Sequence, residues 1–240
     1  MKKRLISTYI ITLLILSSLL SVPCNVFAQE KTTDKNDIEQ SEQPLYQGCW
    51  VNMDISGIAG KILGSDVTST EVGFEVNLKN RFFPVIELGY SDINTTDDET
   101  NIHYKATAPY FRLGLNYNVF YKKTHLPGYF TVGLRYGFSS FSYDVQAPDL
   151  TDPNWGGISV PVAYEDVKTN TSWAELVLGL RTQVYKSFYM GFTVRYRSQL
   201  SLKKSLHSEP YYIPGFGKNK SSNFGFTYNL IYRLPFQYFH

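Results

Sequence analysis

The strict two-residue alternation from Phe224 to Phe236 constrains the fold more than any other stretch of the chain. Its even positions are Phe224, Phe226, Tyr228, Leu230, Tyr232, Leu234 and Phe236, and its odd positions are Gly225, Thr227, Asn229, Ile231 and Arg233. Alternate residues of a strand lie on opposite faces, so one face is aromatic and aliphatic while the other is mostly small, polar or cationic. A strand built this way separates an apolar environment from a wet interior.

The same pattern recurs upstream. Val51, Met53 and Ile55 alternate with Asn52, Asp54 and Ser56; after a Gly-containing connection, Val72, Phe74, Val76 and Leu78 oppose Glu71, Gly73, Glu75 and Asn77. A link through Asn80-Arg81-Phe82-Phe83 leads to Ile86, Leu88 and Tyr90 against Glu87, Gly89 and Ser91, with Pro84 suited to the first position of a strand. A polar loop over 92–107 precedes Phe111, Leu113, Leu115, Tyr117 and Val119 against Arg112, Gly114, Asn116 and Asn118. The fifth segment sets Phe130, Val132, Leu134, Tyr136 and Phe138 against Thr131, Gly133, Arg135 and Gly137. It then slips to Phe141 and Tyr143, which predicts a bulge or an extension above the membrane. A loop over 144–169 follows. The sixth segment (Ala174, Leu176, Leu178, Leu180, Val184 against Glu175, Gly179, Arg181, Gln183) and the seventh (Met190, Phe192, Val194, Tyr196 against Gly191, Thr193, Arg195, Arg197) flank a turn near Lys186-Ser187. A last loop over 200–223 leads to the strand from Phe224 to Phe236.

About eight strands joined alternately by short and long connections predict an all-β, transmembrane, antiparallel up-and-down barrel, with short turns and both termini in the periplasm and long loops outside. Segments of this length suffice for a tilted crossing. Alternation alone does not separate this from a soluble lipocalin-like barrel, which would turn its apolar face inward. The bulk and aromaticity of the apolar face, its near freedom from charge, and the start of the chain decide for the membrane. Lys2, Lys3 and Arg4, an apolar run from Tyr9 to Val22, and Val26-Phe27-Ala28 before Gln29 form a secretory signal over 1–28. Pro23 ahead of Cys24 disfavours a lipid-anchored alternative, and the apolar run is short of the about 20 residues of a spanning helix. Residues 29–46 are polar and charged and predict a disordered periplasmic lead-in, leaving 47–240 for the barrel.

Loss of residues 1–28 takes three of the 23 Lys+Arg and none of the 21 Asp+Glu, leaving 20 against 21. A near-neutral mature chain has no basic stripe for nucleic acid. Cys49 stays alone, so no internal disulfide forms, and its bland role is a small semi-apolar residue at a strand start. Aromatic residues make up 16% of the chain, 19 of them Tyr, which fits girdles at two membrane interfaces.

The C-terminal strand resembles the closing strand of Gram-negative outer-membrane barrels, which implies an insertion signal at Tyr228, Tyr232 and Phe236 read by the barrel insertion machinery, with Gln237 to His240 as an overhang. Five further stretches, at 83–90, 108–114, 132–137, 150–157 and 212–217 (Phe83-Pro84-Val85-Ile86-Glu87-Leu88-Gly89-Tyr90, Ala108-Pro109-Tyr110-Phe111-Arg112-Leu113-Gly114, Val132-Gly133-Leu134-Arg135-Tyr136-Gly137, Leu150-Thr151-Asp152-Pro153-Asn154-Trp155-Gly156-Gly157 and Tyr212-Ile213-Pro214-Gly215-Phe216-Gly217), make the mature chain similar to a family of small, uncharacterised outer-membrane β-barrel proteins, a domain-of-unknown-function family. That resemblance implies fold and location and adds no catalytic residue.

Signals for chemistry are thin. His103, His125 and His207 fall in loops or turns, Gly60-Lys61 lacks the hydroxyl residue and earlier glycine of a phosphate loop, and Asp92, Asn94, Thr96 and Asp98 lack the glycine and glutamate of a calcium loop. No cofactor or metal is expected. Parity places Glu71, Glu75, Glu87 and Glu175 on the same face as Arg112, Arg135, Arg181, Arg195, Arg197 and Arg233, which predicts a salt-bridged lumen. The expected function is a structural or interaction role exercised through extracellular loops, in contact with outer-membrane lipid and an unidentified envelope partner. The alternatives are a narrow pore for small solutes and a rim-located lipid- or peptide-modifying enzyme using His103 or His207.

Overall fold

The computed structural model describes residues 44–98, 100–123, 126–152, 158–203 and 208–234. The proposed signal and most of the lead-in, His125, His207, Phe236 and the overhang lie outside them.

Eight antiparallel strands close into a ring. In chain order they are β1 (Tyr46–Asp54), β2 (Val67–Leu78), β3 (Phe82–Thr96), β4 (His103–Asn118), β5 (Gly128–Asp152), β6 (Ile158–Tyr185), β7 (Phe188–Leu202) and, after a small hairpin of β8 (Tyr212–Ile213) and β9 (Gly217–Lys218), β10 (Ser222–Arg233). Each barrel strand pairs with its sequence neighbour, β7 pairs with β10, and β10 closes on β1. The connections at 79–81, 119–127 and 186–187 share one end with the start of β1 and the finish of β10; those after β1, β3, β5 and β7 share the other. In the first turn Lys79 and Asn80 both take positive φ and the Arg81 N–H donates to the Leu78 carbonyl, a two-residue reversal that matches strand twist.

Several boundaries differ from the sequence reading. Loops 92–107 and 144–169 shrink because β3 and β4 continue to a turn at 97–102 and β5 and β6 continue as one hairpin of 25 and 28 residues. The flanking strands β4 and β7 have only 16 and 15 residues, so the far part of this hairpin projects past the ring. Phe141 and Tyr143 involve no slip: they keep the inward parity of Arg135 and are buried, and the bulge falls later, between Tyr143 and Val145. The period marks a face by polarity, and here the inward face itself turns from charged to aromatic. Pro84 is the third residue of β3, where pairing with β2 skips from Glu75↔Val85 to Leu78↔Phe82, so no N–H is missed. The first connection holds a seven-residue helix, α1 (Ser56–Ile62), with Ile55 at its N-cap and no longer in the strand.

The distribution of side chains is inverted relative to a soluble barrel. Val72, Leu88, Leu134, Leu180 and Phe224 stand outward on different strands at 47–71% exposure, while Glu71, Glu87, Arg112, Glu175 and Arg195 are buried inside. Interior glycines make room for large lumen groups. A Cβ on Gly89 would run into the Tyr110 ring, and one on Gly137 into Trp173.

Candidate functional site: a three-layered filled lumen

Across the ring, register sets the charged layer. Glu87 lies opposite Arg112, Arg135 opposite Glu175, and Glu175 opposite Arg197, because each pair occupies matching inward positions of neighbouring strands. Side chains then reach over the lumen. Arg195 Nη2 donates to Glu71 Oε1 at 2.9 Å, and its Nη1 to Glu87 Oε2 at 2.8 Å and Glu175 Oε2 at 3.3 Å. Arg112 is the second hub: it pairs with Glu71, sits 2.8 Å from Glu175 Oε1 through Nε and 3.5 Å from Glu87 Oε2. Arg135 Nε donates to Glu87 Oε1 at 3.2 Å, and Arg197 Nε lies 3.5 Å from Glu175.

A second carboxylate site lies nearer the turn end. Arg181 grips Glu75 with both terminal nitrogens, at 2.6 and 2.8 Å, in the bidentate geometry that suits guanidinium and carboxylate. Asn52 and Asn116 also donate to Glu75, and Asn116 accepts from Arg135 Nη2 at 2.8 Å, which links the two sites. A cavity of about 20 Å³ between them, lined by polar groups including Asn229 and Thr193, has room for roughly one water.

Aromatic layers seal the charges at both ends. Toward the turns, Trp50, Phe83, Tyr189 and Ile231 form a floor; Trp50 stacks on Tyr189 at 5.0 Å and meets the Tyr129 edge at 5.0 Å. Toward the loops, Tyr104, Tyr110, Tyr143, Trp173, Ile213 and Phe216 form a roof. The last two belong to the connection between β7 and β10, predicted as an outside loop over 200–223, whose stretch Ile213 to Phe216 instead folds inward. Arg112 Nη2 donates to the Gly215 carbonyl at 2.7 Å, Arg197 Nη1 to the Phe216 carbonyl at 3.1 Å, and Tyr104 Oη to the Tyr212 carbonyl at 2.7 Å. Gly215 has φ +78°, and a Cβ there would stand 2.5 Å from the Tyr110 ring. Burial pushes the Tyr212 phenol above its ordinary value, with Arg197 pulling the other way.

The structure thus brings together Glu71, Glu87, Glu175, Arg112, Arg135, Arg195 and Arg197, and places Glu75 with Arg181. Arg233 is the exception: it has inward parity yet sits exposed at the last position of β10, beside the turn, where its N–H donates to the Ser187 carbonyl. Parity fixes its face, and depth takes it out of the network. Gln183, also assigned inward, is exposed at the same end. Tyr228 and Tyr232 face outward; Tyr232 packs on Phe188 at 4.9 Å, and the Tyr228 hydroxyl donates to Met190 Sδ. His103 Nδ1 lies 3.0 Å from Thr96 Oγ1 across the β3–β4 ladder. Cys49 is buried, its Sγ 3.0 Å from the Tyr46 hydroxyl. Among the described residues no group of three or more His, Cys, Asp or Glu could hold a metal ion, and no helix is long and apolar enough to cross a membrane, which says nothing of crossing by strands.

Ring closure, an apolar outer wall and a lumen packed with ion pairs between two aromatic layers define a small filled antiparallel β-barrel. Residues 6–238 match the model of a family described as a domain of unknown function, DUF6048, and the chain belongs to that family. No curated protein matches it.

Proposed function

We propose that the protein is an integral barrel of the Gram-negative outer membrane, with a plugged lumen and a structural or interaction role exercised from its loop end. The observation that carries this reading is the inversion of polarity: large apolar side chains stand outward around the whole ring while four glutamates and their arginines are buried within. Water would penalise such an outer wall, whereas hydrocarbon accepts it, and closure through β1 pairs the ring's edges over the height that β1 spans, as hydrocarbon requires. The interior supports a plug in place of a channel, since eight strands enclose a space just wide enough for side chains to fill. The start of β1 and the finish of β10 share the end of the 79–81 and 186–187 turns, and the corresponding end is periplasmic in barrels of this kind.

Alkaline carbonate extraction of cell envelopes tests the location. The protein is expected to stay with the pelleted membranes, and release into the soluble fraction refutes the reading.

A further inference from the structure

The ring is not hydrogen-bonded along its full height. β1 ends at Asp54, where its register with β10 stops at Asp54↔Asn229 and with β2 at Asp54↔Glu71. One more bond, from the Ile55 N–H to the Tyr228 carbonyl at 3.0 Å, closes the ladder. Above that point β10 continues from Thr227 to Ser222 and β2 from Thr70 to Val67 with no strand between them, and α1 lies in the seam, packed against both. Because Tyr228 turns its carbonyl toward β1, Phe226 and Phe224 turn their backbone groups the same way, toward a position that no strand occupies.

The surface around this seam has two chemical halves. Its lower part is apolar. Phe224 and Phe226 are 71% and 63% exposed and pair with Tyr196 and Phe192 in an aromatic stripe along β7 and β10, and Ile58, Ile62 and Leu63 of the helix region are exposed beside them. Its upper part is cationic. Lys61 on α1, Lys218 and Lys220 ahead of β10, and Lys203 at the top of β7 are exposed; against these four stand two acids of the same connections, the exposed Glu209 and Asp66, the latter turned to β3 by the Thr95 hydroxyl that donates to it at 2.9 Å. The opposite arc, over β3 to β6, carries Asp92, Asp98, Glu165 and Asp166 against Lys105 and Lys168. The rim is therefore charge-polarised, with its basic side above its most aromatic wall.

We propose that the α1–β10–β7 seam is a docking site for a lipid with an anionic headgroup, in the leaflet at the loop end. Acyl chains would lie on the Phe224–Phe226 stripe and the apolar side of α1, the lysines would meet the phosphate, and the Phe224 and Phe226 N–H groups would donate to its oxygens or to ester oxygens. Charge complementarity selects this occupant, together with the continuity of the stripe with the apolar wall. A strand edge facing hydrocarbon needs hydrogen-bond partners, and a headgroup supplies acceptors where a neutral alkyl chain supplies none. The inference rests on the membrane reading above.

Native mass spectrometry of the detergent-purified mature protein, titrated with phosphatidylglycerol or with phosphatidylcholine, tests it. Wild type is expected to retain phosphatidylglycerol at least about ten-fold better than phosphatidylcholine. A basic residue near an anionic surface contributes roughly five-fold in affinity, so Lys61→Gln, Lys218→Gln and Lys220→Gln together should weaken phosphatidylglycerol retention on the order of 100-fold. The control Lys105→Gln with Lys168→Gln should leave it unchanged, and heat-modifiable migration verifies that all variants are folded. Equal retention of the two lipids, equal retention by the triple variant, or a lipid-free dimer that covers the seam with a second copy would each overturn the proposal. Carbonate extraction separates the two levels: a protein that extracts loses both readings, and one that stays in membranes without lipid preference loses only this one.

Discussion

Glu87 is the carboxylate whose removal should damage the barrel most informatively. It is 3% exposed, accepts from Arg195 at 2.8 Å and Arg135 at 3.2 Å, and lies 3.5 Å from Arg112. At an effective dielectric of about 20, charges about 4 Å apart attract by roughly 4 kcal/mol, and desolvation of both ions offsets much of that gain. The asymmetry arises on mutation. Glu87→Ala removes the attraction but leaves three guanidinium groups buried, and the central cluster goes from three glutamates against four arginines to two against four. The expected loss is about 3–5 kcal/mol, the range for breaking a buried pair. Glu87→Gln keeps the volume and an acceptor oxygen but should still lose most of this, because the charge is gone. Combining Glu87→Gln with Arg135→Gln removes one charge of each sign, so the pair should fall short of additivity by about 0.5–3 kcal/mol. Urea unfolding in lipid vesicles measures both quantities, with the fluorescence of the buried Trp50 and Trp173 as the signal. A loss below about 1 kcal/mol for Glu87→Ala, or strict additivity in the double variant, would refute a lumen held by mutual pairing.

Three further outcomes are expected. Wild-type protein in planar bilayers should show no sustained conductance, because the Trp50–Tyr189 floor, the ion pairs and the Phe216 roof lie in series; steady channel currents would establish a water path and favour the pore. Gly215→Ala should displace the inward turn, since positive φ and the Tyr110 ring both oppose a side chain, at about 1–3 kcal/mol, and limited proteolysis within 203–221 should quicken; unchanged cleavage would count against the plug. Tyr228→Ala with Tyr232→Ala should lower the assembled, heat-modifiable fraction in cells by more than the loss of the Phe188 contact lowers stability in vesicles, and normal assembly would remove the proposed insertion signal.

Much of this architecture was legible because a period of two is a local property. Each strand carries its own record of which residues share a face, so eight alternating segments announced the ring, and the parity of Glu71, Glu75, Glu87 and Glu175 announced their company with the arginines. Depth and partnership are not local. Whether an inward residue sits mid-barrel like Arg195 or at the end like Arg233 depends on strand stagger, and which glutamate meets which arginine depends on closure, which brings β7 across the lumen from β2 and β3. The aromatic inward residues Trp50, Phe83, Trp173 and Tyr189 are not legible in the alternation, because polarity is what marks a face and a layered lumen breaks that rule at both ends. The inward turn at Gly215 escaped for another reason: its anchors are backbone carbonyls, which every sequence possesses and none displays. Local alternation determined the strands and their faces; only ring closure decided the ion pairs, the two seals and the open seam beside α1, because each depends on residues distant in the chain meeting at one height of the barrel.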